Sequence, residues 1–194
     1  MRYRRSDVVT RALALLDAVG LPELSMRRLG AELGIQPSAL YHHVPNKQTL
    51  LALMADELLA GAEWPAEDAW TDQVAAVGQV LHETLLGTRD GAELVATVWS
   101  FGLGARLPFE LAEKALSEAG LGELSAAGAR TLLHFVYGHA VDEQTRRQAA
   151  EVGAIEGWPE GGPEEGGVEI GLGIVIAGVQ VVAAARSPRV TVTA

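Results

Sequence analysis

The side chains able to do chemistry fall into two groups. The first lies within the opening 47 residues: Arg27, Arg28, Gln36, Ser38, Tyr41, His42, His43 and Lys47. These types bond phosphate oxygens and base edges: a guanidinium forks onto phosphate or onto guanine O6 and N7, and a hydroxyl donates or accepts. The second group is His139 and Glu143, four residues apart, with Asp142 adjacent and His134 about one and a half turns earlier. On a helix, His139 and Glu143 share a face, which is half a metal site that a bundle could complete. The plainer reading is a pocket or interface histidine with a carboxylate on the helix surface. No metal and no cofactor is assigned.

Catalytic patterns fail. Gly171-Leu172-Gly173 followed by Gly178 misses the G-x-G-x-x-G spacing of a dinucleotide loop. Adjacent carboxylates such as Glu164-Glu165 and Asp142-Glu143 have no histidine or basic partner in a recognisable order. With no cysteine in 194 residues there is no thiol nucleophile, disulfide scaffold or Cys-ligated metal site. An enzyme is not expected.

Charge separates the two groups further. The chain carries a net charge of −10, yet residues 1–50 are net +3 and the remaining 144 residues net −13. A basic head on an acidic body suits a head that meets a polyanion and a body that repels one. The opening Met1–Asp7 has no apolar stretch behind its basic residues, so no signal peptide is expected. The longest apolar run, residues 170–185, is 16 residues broken by Gly171, Gly173, Gly178 and Gln180. That is short of the roughly 18–20 residues that span a bilayer. A cytoplasmic protein without a membrane partner is expected.

The elements that must position these groups are helical. Val8, Val9, Ala12, Leu13, Leu15, Leu16 and Val19 recur at three- and four-residue steps, predicting a helix over 6–19 with Ser6 as its N-cap and Gly20 at its end. Ser25 caps a short helix over 26–33 that buries Leu29 and Leu33, turns Arg27 and Arg28 outward and ends at Gly34. After the turn Ile35-Gln36, Pro37 suits a first helical position, and a third helix is predicted over 38–44. Pro45 closes it, and Asn46 caps a longer helix over 47–62. Two short helices about a glycine turn form the helix-turn-helix pattern. Helical periodicity continues over 71–86, 90–103, 108–119 and 125–150. Residues 156–167, with five Gly, four Glu and two Pro, predict a mobile loop. Residues 168–185 suit a helix or a buried strand by pattern alone.

Ser25-Met26-Arg27-Arg28-Leu29-Gly30-Ala31-Glu32-Leu33-Gly34-Ile35, Ala39-Leu40-Tyr41-His42-His43-Val44 and Asn46-Lys47-Gln48-Thr49-Leu50-Leu51 together resemble the DNA-binding head of tetracycline-repressor (TetR) family regulators. Within this, the Leu-Tyr-x-His-Val-x-Asn-Lys segment is the most specific stretch. The body resembles the family more loosely, through Arg89-Asp90-Gly91-Ala92, Gly138–Gln144 and Gly171–Gly178.

The resemblance implies an all-α fold: a helix-turn-helix head over 1–46, a connecting helix over 47–64 and an effector-binding and dimerisation domain over 65–194. It implies a helix over 168–185, and a homodimer formed through 125–150 and 168–185. Carried over by position, Arg27, Pro37, Ser38, Ala39 and His42 fall where base edges are met, with Arg28 on the same outer face. Ser25, Met26, Tyr41, His43 and Lys47 fall where the DNA backbone is contacted or the helix braced. A core role for Tyr41, packing the head, is the competing reading. The effector pocket would draw on Glu63, Val77, Leu81, Val95, Trp99, Phe101, Phe135 and His139. Tetracycline-binding members carry polar drug ligands and a metal-binding histidine where this chain has Glu63, Val77, Leu81 and Val95, so a tetracycline sensor is not expected. The implied function is a ligand-responsive transcriptional regulator, a repressor of a palindromic operator released by a small, largely apolar effector. The rival is a helical small-molecule- or metal-binding protein whose head no longer reads DNA.

Overall fold

The computed structural model describes residues 3–156 and 167–186, and every regular element among them is an α-helix. The head comprises α1 (Arg5–Val19), α2 (Met26–Leu33) and α3 (Pro37–Tyr41), and α4 (Lys47–Ala60) leads away from it. The body holds α5 (Trp70–Leu86), α6 (Gly91–Ser100), α7 (Leu107–Glu118), α8 (Leu124–Glu151) and α9 (Gly167–Arg186).

Local chemistry sets the head's boundaries. The N-cap of α1 is Arg4 rather than Ser6, because the Asp7 carboxylate accepts the Arg4 N–H at 2.7 Å and so starts the helix earlier. Ser25 Oγ accepts the Arg28 N–H at 3.2 Å and Asn46 Oδ1 accepts the Thr49 N–H at 2.8 Å, as the capping residues predict. Gly34 ends α2 in the left-handed region at φ 66°, where a side chain would be strained. Pro37 begins α3, but the helix stops at Tyr41 instead of running to Val44. Pro45 disfavours helical backbone at the residue before it, and the chain turns as Leu40 O accepts the N–H groups of His43 and Val44.

Val8, Ala12, Leu16, Leu29, Leu40, Val44 and Leu50 are buried as the head's core, and Met54, Ala55 and Leu59 on α4 continue it toward the body. In the body, α5, α7, α8 and α9 pack on one another, and α6 lies between α4, α5 and α8. Two close approaches fix α9. A Cβ on Gly78 of α5 would lie 2.4 Å from Leu172 Cδ2, and one on Gly171 of α9 would lie 1.9 Å from Phe135 Cζ. A methyl at either place would force the facing side chain to move.

The ambiguous Ile- and Val-rich segment is therefore a helix. Val168, Leu172 and Ile176 form its buried stripe, while Ile170, Ile174 and Val181 are exposed. Its 20 residues exceed the 16-residue apolar run read from sequence, because Gly167, Val168, Glu169 and Arg186 extend it. By length and composition alone, with mean hydropathy 2.1, it is long and apolar enough to cross a bilayer. One stripe is nonetheless committed to packing against α5 and α8. The predicted mobile loop over 156–167 lies almost wholly outside the described residues, and its last residue, Gly167, belongs to α9.

Candidate nucleic-acid interface and effector site

The structure divides the expected DNA-binding side chains by exposure. Arg27, Arg28, Ser38 and His42 are exposed, and Pro37, Ala39, His43 and Lys47 are half-buried. Tyr41 is 48% exposed, so it is not the core aromatic of the competing reading. Met26 is buried at the start of α2 and can act only as a brace.

Their partners divide them again. Arg28 Nη1 lies 2.9 Å from Glu23 Oε2, which ties that guanidinium to the preceding loop. Arg5 Nε donates to the His43 carbonyl at 3.2 Å, so α1 holds the chain just after α3. Tyr3 Oη donates to the Leu33 carbonyl at 3.0 Å, and Arg11 pairs with Glu32, anchoring α2 to the first helix. Among the described residues, no acidic side chain pairs with Arg27 or Lys47. Two uncommitted cations thus sit on the helices before and after α3, whose segment exposes Ser38, Tyr41 and His42. That chemistry suits a phosphate-lined groove.

The eight residues expected around an effector do not share one environment. Val77, Leu81 and Val95 are fully buried in the closed core, whereas Glu63 is exposed and Phe101 is 65% exposed. Phe135 and His139 stack on each other along α8 with ring centroids 5.7 Å apart. Trp99 packs against Phe109 at 5.4 Å and Tyr137 at 6.3 Å. Of the eight, Trp99 alone lines the cleft of about 390 Å³ formed with Ser100, Gly102, Gly104, Arg106, Arg130 and His134. Arg106 and Arg130 each stack over the Phe109 ring, at 5.8 and 5.7 Å. Tyr137 is buried with its hydroxyl unbonded, and burial raises the pKa of that hydroxyl, so it stays a donor.

Besides the end of α4 at Ala60–Gly61, where the sequence suggests a moving joint, polar contacts tie head to body. Asp90, in the left-handed region at φ 54°, places one carboxylate oxygen 2.6 Å from the Leu21 N–H in the loop after α1. Its other oxygen accepts from Gln148 Nε2 of α8 at 2.6 Å. Beside it, the Arg89 N–H donates to Asp17 Oδ1 at 3.2 Å. Gln144, one turn before Gln148, accepts the Ala92 N–H at 3.1 Å and donates to the Thr88 carbonyl at 2.9 Å. A second tie joins Asp56 Oδ1 of α4 to the Ala105 N–H at 2.7 Å. Head and body are thus joined by bonds, several of them charge-assisted, that link the loop after α1 and α4 to α8 and the start of α6. The only sequence signal was the Arg89-Asp90-Gly91-Ala92 segment, whose partners are distant in sequence.

A helix-turn-helix head presenting free cations, bonded to a helical body with a ligand-sized cleft, defines a ligand-responsive DNA-binding transcriptional regulator. Residues 8–54 match the bacterial regulatory proteins of the tetR family and residues 64–157 match the tetracyclin repressor-like C-terminal domain; the chain belongs to the TetR family. It is 33% identical to the class E tetracycline repressor protein of Escherichia coli, over 81% of this chain and 77% of that one. The crystal structure of Mycobacterium smegmatis BioQ is similar with a TM-score of 0.84 and 35% identity, covering 93% of this chain and 99% of that one. BioQ with its natural double-stranded DNA operator matches at a TM-score of 0.77. Streptomyces coelicolor ActR in complex with actinorhodin is 30% identical, with a TM-score of 0.77, over 94% of this chain and 99% of that one. Members of this family are DNA-binding regulators rather than enzymes.

Proposed function

We propose that this chain is a repressor that binds a palindromic operator as a homodimer and is released by a small, largely apolar effector. The observation that carries the DNA-reading part is the free, exposed Arg27 and half-buried Lys47 on either side of an outward-facing Tyr41. In this reading Arg27, Pro37, Ser38, Ala39 and His42 meet base edges. Ser25, Tyr41, His43 and Lys47 hold the phosphates, and Met26 and Arg28 brace α2. Ala39 offers only a methyl contact, suited to thymine, while Arg27 can fork onto guanine.

The dimer is formed by the outer faces of α8 and α9. Ile170, Ile174, Val181 and Val182 make an exposed apolar strip that a second copy of the same strip would cover. Two heads so paired meet successive major grooves about 34–36 Å apart. The effector enters the cleft beside Trp99, against its ring. Binding there moves the α6–α7 segment carrying Ala105, and with it the Asp56 tie to α4, which changes the spacing of the heads. An effector must favour one spacing over the other, since equal affinity shifts nothing.

The test is selection of duplexes from a random DNA pool at physiological salt with excess competitor, repeated with the Arg27→Ala/Lys47→Ala double variant. Wild type enriches an inverted repeat and the double variant enriches none while keeping its helical circular dichroism. Recovery of no sequence by folded wild type refutes the reading.

A further inference from the structure

His82, His139 and Glu143 converge on one point inside the body, with one ring nitrogen of each histidine and a carboxylate oxygen all within 4.8 Å of one another. His82 comes from α5, and the other two lie one turn apart on α8. His82 Nε2 is 2.9 Å and His139 Nε2 is 3.9 Å from Glu143 Oε2. In a tetrahedral site with bonds near 2.0–2.1 Å, ligand atoms stand about 3.3 Å apart. The two observed separations bracket that value, and a small swing of His139 closes the triangle.

The cluster is held from outside. The His139 ring is stacked on Phe135, and a Cβ on Gly167 at the start of α9 would lie 3.1 Å from its Cε1. Arg147 bonds the other oxygen of Glu143, which fixes the carboxylate with Oε2 turned to the histidines. Arg147 itself is half-exposed, so its charge can turn into solvent when a cation arrives. His82 and Glu143 are buried, and His139 keeps a fifth to a quarter of its side chain in contact with solvent, which supplies a route of entry.

We propose that His82, His139 and Glu143 bind a transition-metal dication of the zinc type, with the fourth position open to water or to a ligand atom. Two imidazoles and a carboxylate suit zinc, cobalt or nickel and are a poor set for magnesium, which takes oxygen ligands. The site differs from the drug-bound metal position of tetracycline-binding relatives, where this chain has the fully buried Val95. It stands apart from the DNA-reading proposal, since none of its residues lies in the head.

The experiment is calorimetric titration of the chelator-treated full chain with ZnCl₂, with MgCl₂ as control and with visible absorption of the CoCl₂-loaded chain. One zinc per chain is expected at a micromolar or tighter Kd, no saturable magnesium binding, and the cobalt bands of a four-coordinate site. His139→Ala, at the partly exposed position, and Glu143→Gln are each expected to weaken zinc at least tenfold. His82→Asn is expected to abolish the four-coordinate cobalt spectrum. Circular dichroism reads whether each variant is folded. Folded wild type that takes up no zinc overturns the proposal, and so does zinc binding unchanged in folded His139→Ala and Glu143→Gln.

Discussion

Two hydroxyls in the body, those of Tyr137 and Ser125, are buried without a partner among the described residues. An unsatisfied buried polar group costs about 1–3 kcal/mol. Tyr137→Phe removes the hydroxyl and keeps the ring against Trp99. Urea unfolding should therefore show that variant as stable as wild type or more so by up to about 1 kcal/mol, the opposite of the usual sign for a buried substitution. Arg27 and Lys47 differ, because they make no ion pair within the head. Replacing both with alanine should change stability by no more than about 0.5 kcal/mol each while removing operator binding in a gel-shift titration. A matching loss of stability would mean that these side chains hold the head together and do not read DNA.

Close packing governs the helices of the body more than propensity does. The contact between α9 and its neighbours depends on Gly78 and Gly171, each facing a side chain that leaves no room for a methyl. Added methyls in a packed interior cost about 1–3 kcal/mol. Gly171→Ala should fall at or beyond the upper end in a denaturant melt, because the Phe135 ring cannot bend aside as a leucine tip can. Gly78→Ala should cost less, since Leu172 has other rotamers. The joint between head and body belongs to the same scale. Asp90→Ala loses an acceptor shared by Leu21 of the head and Gln148 of α8, each bond to a charged group being worth about 1.5–3 kcal/mol. It should lower the melting temperature in a thermal melt. Asp90→Asn keeps one accepting oxygen and a residue tolerant of the left-handed backbone, and should recover part of the stability.

For the whole molecule, the decisive surface is the apolar strip on α9. Ile174 is 68% exposed, as is Val181, two turns further along the helix. Ile174→Lys together with Val181→Glu should leave the chain folded and monomeric in sedimentation velocity, and should weaken operator binding at least a hundredfold through loss of the second head. A dimer of unchanged stability would place the interface elsewhere. A dimer joined through its bodies would present both basic heads to one polyanion.

How much of this was written in the order of residues differs sharply between head and body. Ser25, Gly34, Pro37 and Asn46 act on backbone groups within a few positions of themselves, so the short helices of the head and their outward side chains could be read directly. Periodicity marked which face of each body helix was apolar. It could not say which neighbour covers that face. Val77, Leu81 and Val95 are fully buried while Phe101, expected beside them, is 65% exposed, because burial depends on what packs opposite. Two of the three clustered residues showed as the His139–Glu143 spacing, yet the third, His82, lies 61 positions before Glu143. Leu21 and Asp90, which join head to body, are 69 positions apart. The sequence alone determined the short helices of the head, the Ser25 and Asn46 caps and the charge of the head. Tertiary structure decided the closed core, the His82 partnership and the joint, because each requires groups from different helices to meet, and only packing brings them together.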